Sequence, residues 1–232
     1  MVSSALFDLG EQYDQMLSQG LRLSGENHEF FLRGRVERLA KDLPDGPGPR
    51  RVLDFGCGIG HATAELATVF PKAEIVGVDV SEPALEYARS TVKLPNVRFT
   101  TTLDANSGDR FDLCYTNGTF HHIDPAKRLG ILRDLGGVLT KGGYLAFFEN
   151  NPWNPGTRLV MRKIPFDRDA ILMAPFRAAR LIRKAGFELR QPTVYLFFFP
   201  RPLASLRPVE PSLCRLPLGA QYFILASPLK PA

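Results

Sequence analysis

Cysteine is scarce in this sequence, and its spacing excludes two classes of protein. The three cysteines, Cys57, Cys114 and Cys214, lie far apart and form no CxxC pair. A disulfide-stabilised fold and a zinc-binding module would both need closer or more numerous cysteines. We therefore predict no metal site, and we expect a reducing, cytoplasmic location.

Long apolar runs are absent as well. The most apolar stretch, residues 195–199, is far shorter than the roughly 20 residues that cross a bilayer as a helix. Residues 1–17 lack a basic start followed by an apolar stretch, so no secretory signal is expected. With 44% hydrophobic and 23% charged residues in 232, the composition fits one α/β domain with a sizeable core.

Acidic residues are rare in one part of the chain. Residues 158–207 contain eleven Lys or Arg but only three acids, Asp167, Asp169 and Glu188. A solvated basic face explains this imbalance, and so does an anionic substrate or membrane surface. Peripheral membrane contact through this basic C-terminal region is therefore one predicted partner.

Proline and glycine separate a helical start from the rest of the chain. Residues 3–43 are predicted to be helical because apolar residues between positions 30 and 43 follow an approximate helical period. Three prolines and two glycines at 44–49 break that pattern. We expect an N-terminal helical cap at 1–43, a linker at 44–50 and a main domain at 51–232, in which residues 150–219 carry acceptor-side loops and a Pro-rich insert.

From residue 51 onward, short apolar runs alternate with helical stretches. This order predicts an α/β fold, in which a mostly parallel sheet is covered by helices on both faces. The predicted strands lie at 52–55, 74–78, 97–99, 111–115, 144–148, 187–199 and 220–227. The predicted helices lie at 61–70, 81–91, 125–139 and 175–184, with a turn at 141–143 and a Pro-rich insert at 200–219.

A glycine-rich loop follows the first predicted strand and is the most informative segment. Asp54 precedes Gly56, Gly58 and Gly60, and a helix follows. Glycine permits a sharp turn and a close ligand, and the helix N-terminus offers unpaired N–H groups. The next strand ends at Asp79, where a carboxylate can accept both hydroxyls of a ribose.

The spacing of the loop bears on the identity of the ligand. A nicotinamide dinucleotide fingerprint, G-x-G-x-x-G, would need glycine or alanine at the position of His61. The compact spacing after Asp54 suits a ligand with an amino acid end and no pyrophosphate. A nicotinamide-dependent oxidoreductase is thus the disfavoured alternative, and a non-catalytic cofactor-binding protein is a second one.

In this order and spacing, the motifs resemble the class I S-adenosylmethionine-dependent methyltransferases, of a bacterial type with unassigned acceptor. The similarity covers residues 51–150, including residues 103–105, 111–123 and 139–144. It implies S-adenosylmethionine as the cofactor and a Rossmann-like, doubly wound, mostly parallel seven-stranded sheet. The predicted cofactor-binding residues include the glycines and acids described above and the residues that the resemblance adds. They are Asp54, Gly56, Gly58, Gly60, Asp79, Val80, Asp104, Asn117 and Tyr13.

The resemblance also implies a role for several of these residues. Gly56 and Gly58 would pack against the methionine part of the cofactor, and Asn117 would flank that end. Asp79 would hold the ribose hydroxyls, with Val80 beside the adenine. Two further contacts are implied: Asp104 would reach the adenine amino group, and Tyr13 on the cap would close over the cofactor.

Polar clusters follow the fourth and fifth predicted strands, where open parallel sheets bind their ligands. The first holds His121 and His122, and a histidine can remove the proton of an acceptor hydroxyl near neutral pH. We predict His122, or else His121, as the base; hydrogen bonding within the loop is the structural alternative. Glu149 in the second cluster is a further predicted catalytic residue.

The second cluster also predicts contacts with the substrate. Asn150, Asn151 and Trp153 offer hydrogen bonds and a flat apolar wall, although two X-Pro steps would equally suit a rigid turn. The predicted function is methyl transfer by in-line displacement to a small-molecule acceptor, which the resemblance links to glycan or lipid assembly. Nucleic acid is not expected, because Asn117 is not followed by a Pro-Pro-aromatic motif.

Overall fold

A mixed sheet forms the centre of the protein in a computed structural model, which describes residues 16, 19–103, 110–167 and 169–229. Its eight strands are β1 (Arg51–Phe55), β2 (Glu74–Val78), β3 (Val97–Thr100), β4 (Phe111–Asn117), β5 (Leu139–Asn150), β6 (Phe187–Leu189), β7 (Val194–Leu196) and β8 (Gln221–Pro228). The sheet order is β3-β2-β1-β4-β5-β8-β6, and β7 also pairs with β8. Strands β1 to β5 are parallel, whereas β8 runs antiparallel to its neighbours.

Seven α-helices accompany the sheet in the described part of the chain. They are α1 (His28–Asp42), α2 (His61–Val69), α3 (Glu82–Thr91), α4 (Arg128–Val138), α5 (Pro155–Lys163), α6 (Pro175–Lys184) and α7 (Glu210–Leu213). Short 3-10 helices occur at Arg22–Ser24, Phe120–His122 and Pro165–Asp167, and a longer 3-10 segment, Arg201–Val209, is interrupted by a kink at Leu203. Among the described helices, none is long and apolar enough to cross a membrane.

The core lies on both faces of the sheet because adjacent strand residues point to opposite sides. Leu53 in β1 joins the cluster that packs against α4 and α6, whereas Val52 joins the cluster that contains α1 and α2. The predicted Rossmann-like, doubly wound α/β fold is therefore confirmed. The sheet has eight strands and not the predicted seven.

The difference in strand number arises at one edge of the sheet. The single strand predicted at 187–199 is divided into β6 and β7, which pair with different parts of β8. The pairing register shifts by two residues across the break, which contains Pro192. Proline has no N–H to donate to a sheet ladder, so an uninterrupted strand is disfavoured at this point.

Two segments have more helix than the sequence analysis predicted. Residues 155–163, assigned there to an acceptor-side loop, form α5, whose N-cap Asn154 accepts a hydrogen bond from the N–H of Thr157 at 2.9 Å. Part of the Pro-rich insert is also helical, in the 3-10 helix Arg201–Val209 and α7. Proline in the first turn favours helix entry, which explains how these proline-containing segments became helical.

The described part of the predicted N-terminal cap packs directly on the main domain. Leu32, Val36 and Leu39 of α1 are buried in the same cluster as Leu66 of α2 and Val52 of β1. The N-terminal end of α1 reaches the edge of the sheet where β1, β2, β4 and β5 have their carboxyl ends. That edge is where a ligand binds in open α/β sheets.

Candidate active site

A cavity of about 740 Å³ opens at the carboxyl ends of the parallel strands. The glycine loop after β1 and the start of α3 form one end of it, and α5 and residues 197–200 form the other. The N-terminal part of α1 and the loop after β4 lie between these ends. A smaller cavity of about 80 Å³ adjoins it between α1 and the glycine loop.

The three glycines of the loop have different structural reasons for lacking a side chain. Gly56, Gly58 and Gly60 all have positive φ angles, of 75°, 52° and 85°. A Cβ on Gly56 would lie 2.3 Å from the hydroxyl of Thr119, and one on Gly60 would lie 2.9 Å from the ring of Phe99. A Cβ on Gly58 would meet no described atom within 4 Å. Gly58 therefore presents bare backbone to both cavities, as the cradle of a ligand requires.

Asp79 and Val80 line the same end of the large cavity. The carboxylate of Asp79 accepts hydrogen bonds from the N–H of Gly58 at 2.8 Å and from that of Ser81 at 3.0 Å. These bonds fix the carboxylate beside the glycine loop and leave it further lone pairs for ligand hydroxyls. Val80 is 93% exposed, so a ligand in the cavity can contact its side chain.

The small cavity is lined by polar groups from β1 and β4. Asp54 is buried, and its carboxylate accepts a hydrogen bond from the Thr63 hydroxyl at 2.7 Å. Burial above all, helped by the negative charge of Asp79, raises the pKa of Asp54 to about 7. Asn117 lines both cavities, and its buried Oδ1 has no hydrogen-bond partner among the described residues. Such an acceptor is unfavourable unless a ligand donates to it.

Arg35 of α1 is a site residue that the sequence analysis missed. It is 4% exposed, lines both cavities, and donates to the Tyr115 hydroxyl at 3.3 Å and to Gln221 Oε1 at 3.1 Å. No described carboxylate lies within ion-pair distance of this guanidinium, and Asp54, which lines the same small cavity, interacts with it only at longer range. A buried cation without a directly paired anion is costly. The sequence did carry a signal, because Arg35 interrupts the apolar stripe formed by Leu32, Val36 and Leu39.

The two predicted histidines lie in different environments after β4. His121 is buried: its Nδ1 lies 2.6 Å from Glu149 Oε2, and its backbone N–H donates to Glu149 Oε1 at 3.2 Å. Its Nε2 lies 3.4 Å from Asp167 Oδ1, at ion-pair distance. Burial alone would lower the pKa of His121, but the two carboxylates raise it to about 10. His121 is therefore charged, and Glu149 lies behind it without lining the cavity.

His122 and Asp167 line the large cavity. The side chain of His122 is 16% exposed, and its Nε2 lies 3.3 Å from Asp167 Oδ1. Asp167 had no predicted role in the site beyond its place in a charge count, because it is far from the histidines along the chain. Burial opposes ionisation of Asp167, yet the two histidines lower its pKa below the ordinary value, so it is an anion.

Ligand atoms of His121, His122 and Asp167 lie within 4.8 Å of one another, a spacing that could hold a metal ion. No metal was predicted from the sequence, and the electrostatics of the cluster favour a proton. Because the two carboxylates raise the pKa of His121, its Nε2 would have to release a proton before it could bind a metal ion.

The three predicted substrate residues are placed differently from one another. Asn150 lines the large cavity, and its Oδ1 accepts a hydrogen bond from Gln221 at 3.0 Å. Asn151 is fully buried outside the cavity wall, where its Nδ2 donates to two carbonyls of the insert, those of Pro217 and Gly219. Trp153 also lies off the cavity wall: it is 47% exposed and stacks on Phe176. Two other predicted site residues, Tyr13 and Asp104, lie outside the described residues.

The end of the large cavity that is formed by α5 and residues 197–200 is predominantly apolar. We call it the acceptor end, because a predicted acceptor would lie there. Phe197 has φ of 61°, an unusual conformation for a bulky residue, and its ring packs against Phe30 and Phe31 with centroids 5.7 and 4.9 Å away. A Cβ on Gly34 would lie 2.7 Å from this ring, so α1 needs glycine there. The other apolar residues at this end are Ile123, Ile131, Leu159, Val160, Met161, Ile164, Phe198 and Phe199.

Comparisons with known proteins agree with this geometry. Residues 52–143 match a family described as "Methyltransferase domain". The chain is 31% identical over 166 residues to trans-aconitate 2-methyltransferase of Acidovorax sp. (strain JS42), which covers 69% of this chain and 62% of the relative. It is 38% identical over 109 residues to malonyl-[acyl-carrier protein] O-methyltransferase of Legionella pneumophila, covering 45% and 37%. The chain thus spans less than two thirds of either relative.

Solved structures share the fold. An S-adenosylmethionine-dependent methyltransferase from Thermotoga maritima has a TM-score of 0.65 at 21% identity, covering 96% of this chain and 98% of that one. Another from Aquifex aeolicus has a TM-score of 0.62 at 18% identity, covering 90% and 97%. The sheet order, the glycine loop and the acid that follows β2 are typical of α/β proteins that bind a nucleoside cofactor. Together, the family match and the relatives support a class I S-adenosylmethionine-dependent methyltransferase, with the matched domain at residues 52–143.

Proposed function

We propose that this protein transfers the methyl group of S-adenosylmethionine to a small molecule with a largely apolar body and one ionisable hydroxyl. The observation that carries this proposal is the composition of the large cavity. One end offers polar groups for an amino acid and a ribose, and the other offers an apolar wall next to His122. The bound cofactor supplies an electrophilic methyl group together with its own leaving group.

The residues at the polar end fit the amino acid part of the cofactor, which carries one carboxylate and one ammonium. Arg35 supplies the cation for the carboxylate, and its burial without an anionic partner among the described residues is then explained. The free Oδ1 of Asn117 and the carboxylate of Asp54 supply acceptors for the ammonium. Asp79 accepts from the ribose hydroxyls, and Val80 covers the adenine.

His122 is the proposed base. Both histidines line the cavity, but the charged His121 is buried between two carboxylates and has no site for another proton. When His122 takes the proton of the acceptor hydroxyl, Asp167 Oδ1, 3.3 Å from Nε2, stabilises the imidazolium. His121 and Glu149 act as positioning residues, because they hold Asp167 and the turn after β4 in place.

The apolar wall also distinguishes this protein from the relatives that it resembles. Trans-aconitate carries three carboxylates, yet Arg35 is the one Lys or Arg among the described residues of the cavity wall, and it lies at the cofactor end. A glycan would leave most of its hydroxyls without partners against this wall. A lipid-linked or aromatic acceptor fits the apolar residues better than either.

The test begins with calorimetric binding of S-adenosylmethionine and S-adenosylhomocysteine, with NAD as a control. We expect micromolar binding of the sulfur cofactors alone. Methyl transfer is then measured on phenols and alcohols of increasing apolar size, with trans-aconitate as the comparison. Turnover should rise with apolar size; turnover on trans-aconitate alone would refute the proposed acceptor class. Cofactor binding without turnover on any compound tested would favour the non-catalytic alternative.

A further inference from the structure

Two neighbouring helices carry an exposed surface of unusual composition beside the cavity. We call it the α5–α6 face: Trp153, Arg158, Leu159, Arg162, Lys163, Phe176, Arg177 and Arg180. Neither α5 nor α6 contains an acidic residue. Residues four apart share one side of a helix, so Arg158 and Arg162 lie together on α5, and Phe176 and Arg180 lie together on α6.

The apolar members of the face are large and exposed. Trp153, Leu159 and Phe176 are 47%, 49% and 59% exposed. The rings of Trp153 and Phe176 stack with centroids 6.0 Å apart, which joins the start of α5 to the start of α6. The guanidinium of Arg177 lies over the Phe176 ring at 5.8 Å. The aromatic pair thus forms a fixed apolar centre with basic residues around it.

The charges of the face are not neutralised by any acid among the described residues. Within the described ranges, none of Arg158, Arg162, Lys163, Arg177 and Arg180 makes an ion pair with a carboxylate. Elsewhere on the surface, exposed arginines such as Arg89 and Arg190 are paired with acids. A concentration of free basic residues produces a positive potential that attracts an anionic partner.

The face is continuous with the apolar end of the cavity. Leu159 is half exposed on the face and also lines the cavity, as do its neighbours Gly156 and Val160. Anything apolar that lies against the face is therefore next to the opening of the acceptor site. This continuity favours a lipid surface over a nucleic acid, which would have no use for an apolar cavity behind its binding face.

We propose that the α5–α6 face docks on an anionic lipid bilayer and that the apolar acceptor enters the cavity from the bilayer past Leu159. Exposed aromatic and leucine side chains with a basic surround are typical of surfaces that lie in the membrane interface. The entry route rests on the proposed function, whereas the docking itself does not.

Trp153 provides a direct test, because it is the only tryptophan of the chain and lies on the face. Its fluorescence is recorded with vesicles of phosphatidylcholine and with vesicles that also contain phosphatidylglycerol. We expect a blue shift with the anionic vesicles, quenching by brominated acyl chains, and a loss of binding as salt is raised. Equal binding to both kinds of vesicle, or none, would overturn the proposal.

Charge-reversal variants locate the contact. The triple variant Arg158→Glu, Arg162→Glu and Arg177→Glu should bind anionic vesicles at least on the order of 100-fold more weakly, since each basic residue contributes about 1 kcal/mol at such a surface. The matched control is Lys41→Glu, Lys72→Glu and Lys93→Glu, three exposed residues near the amino ends of the strands. Equal losses of vesicle affinity in both variants would show a non-specific charge effect and would refute docking through the α5–α6 face.

Two further measurements separate the possible failures. Heparin, a polyanion without a bilayer, should not shift the fluorescence of Trp153 as vesicles do; an equal shift would overturn the membrane as partner. S-adenosylhomocysteine binding is measured on every variant and should be unchanged, since the face lies away from the cofactor end. Vesicle binding without cofactor binding would count against the proposed function alone, and the reverse result against the docking alone.

Discussion

Replacing Arg35 by methionine tests the interpretation of the cofactor end. Methionine replaces the aliphatic part of the arginine side chain and fits an apolar setting, so the change removes the guanidinium with its charge and its two hydrogen bonds. A charge-assisted hydrogen bond contributes about 1.5–3 kcal/mol, and loss of one partner from a buried ion pair costs about 3–5 kcal/mol. We expect the affinity for S-adenosylhomocysteine to fall by about 10-fold to 1,000-fold, measured by calorimetry.

The ligand-free protein should respond differently to the same change. Because no described carboxylate pairs with Arg35, the variant loses two hydrogen bonds but also removes the cost of a buried cation. Its free energy of unfolding, measured in urea, should therefore fall by less than its free energy of cofactor binding. The control is Arg38→Met, one turn along α1, where the guanidinium pairs with Asp42 at 2.8 Å outside the cavity. Unchanged cofactor affinity in Arg35→Met, or an equal loss in Arg38→Met, would refute the assignment.

Three other predictions concern protons. The pKa of Asp54 is about 7 in the free protein, so its carboxyl group must lose a proton when it accepts the cofactor ammonium. Cofactor binding at pH 6.5 should therefore release a proton, which calorimetry in buffers of different ionisation enthalpy measures. The variant Asp54→Asn should abolish this proton release. His122→Ala should slow methyl transfer by about 100-fold or more while cofactor affinity stays the same, and full activity would leave His122 a structural role. Protonated His121 stabilises the fold, and this contribution is complete below pH 6.5 and decreases up to pH 10, because the pKa of His121 is raised in the folded protein. The free energy of unfolding in urea should therefore fall by up to about 1.4 kcal/mol per pH unit above pH 7. The variant Glu149→Gln should show a smaller fall.

The cofactor end could be predicted from the sequence because its signals are local. The strand, the glycines and Asp79 lie within 30 residues of one another, and each is recognisable by residue type and spacing. Likewise, Ser81 was expected to begin a helix, and its hydroxyl oxygen accepts a hydrogen bond from the N–H of Ala84. The parallel sheet then places these separate signals at one edge.

The acceptor end could not be predicted in the same way, because long-range contacts create it. Asp167 is far from His122 in the sequence, and the two meet only because the segment after α5 returns over the loop after β4. Arg35 carried a weak signal, a charge on an apolar stripe, which is also common for surface residues. The start of α5 carried a stronger one, since Asn154 before Pro155 is a typical helix entry. The prediction for this stretch was substrate contact, with a rigid turn as the alternative, and neither includes a helix at 155–163.

The similarity to the relatives covers mainly the cofactor end of the large cavity, so it gives little information about the acceptor. The family match covers residues 52–143, which contain the glycine loop, Asp79, Asn117 and both histidines. Most of the apolar wall lies beyond it, in α5, residues 164–167 and residues 197–200. Because the wall determines which molecule can be buried there, a relative that shares the cofactor loop can act on a chemically different acceptor. An acceptor screen guided by the apolar wall should therefore find a substrate sooner than one guided by the acceptors of the relatives.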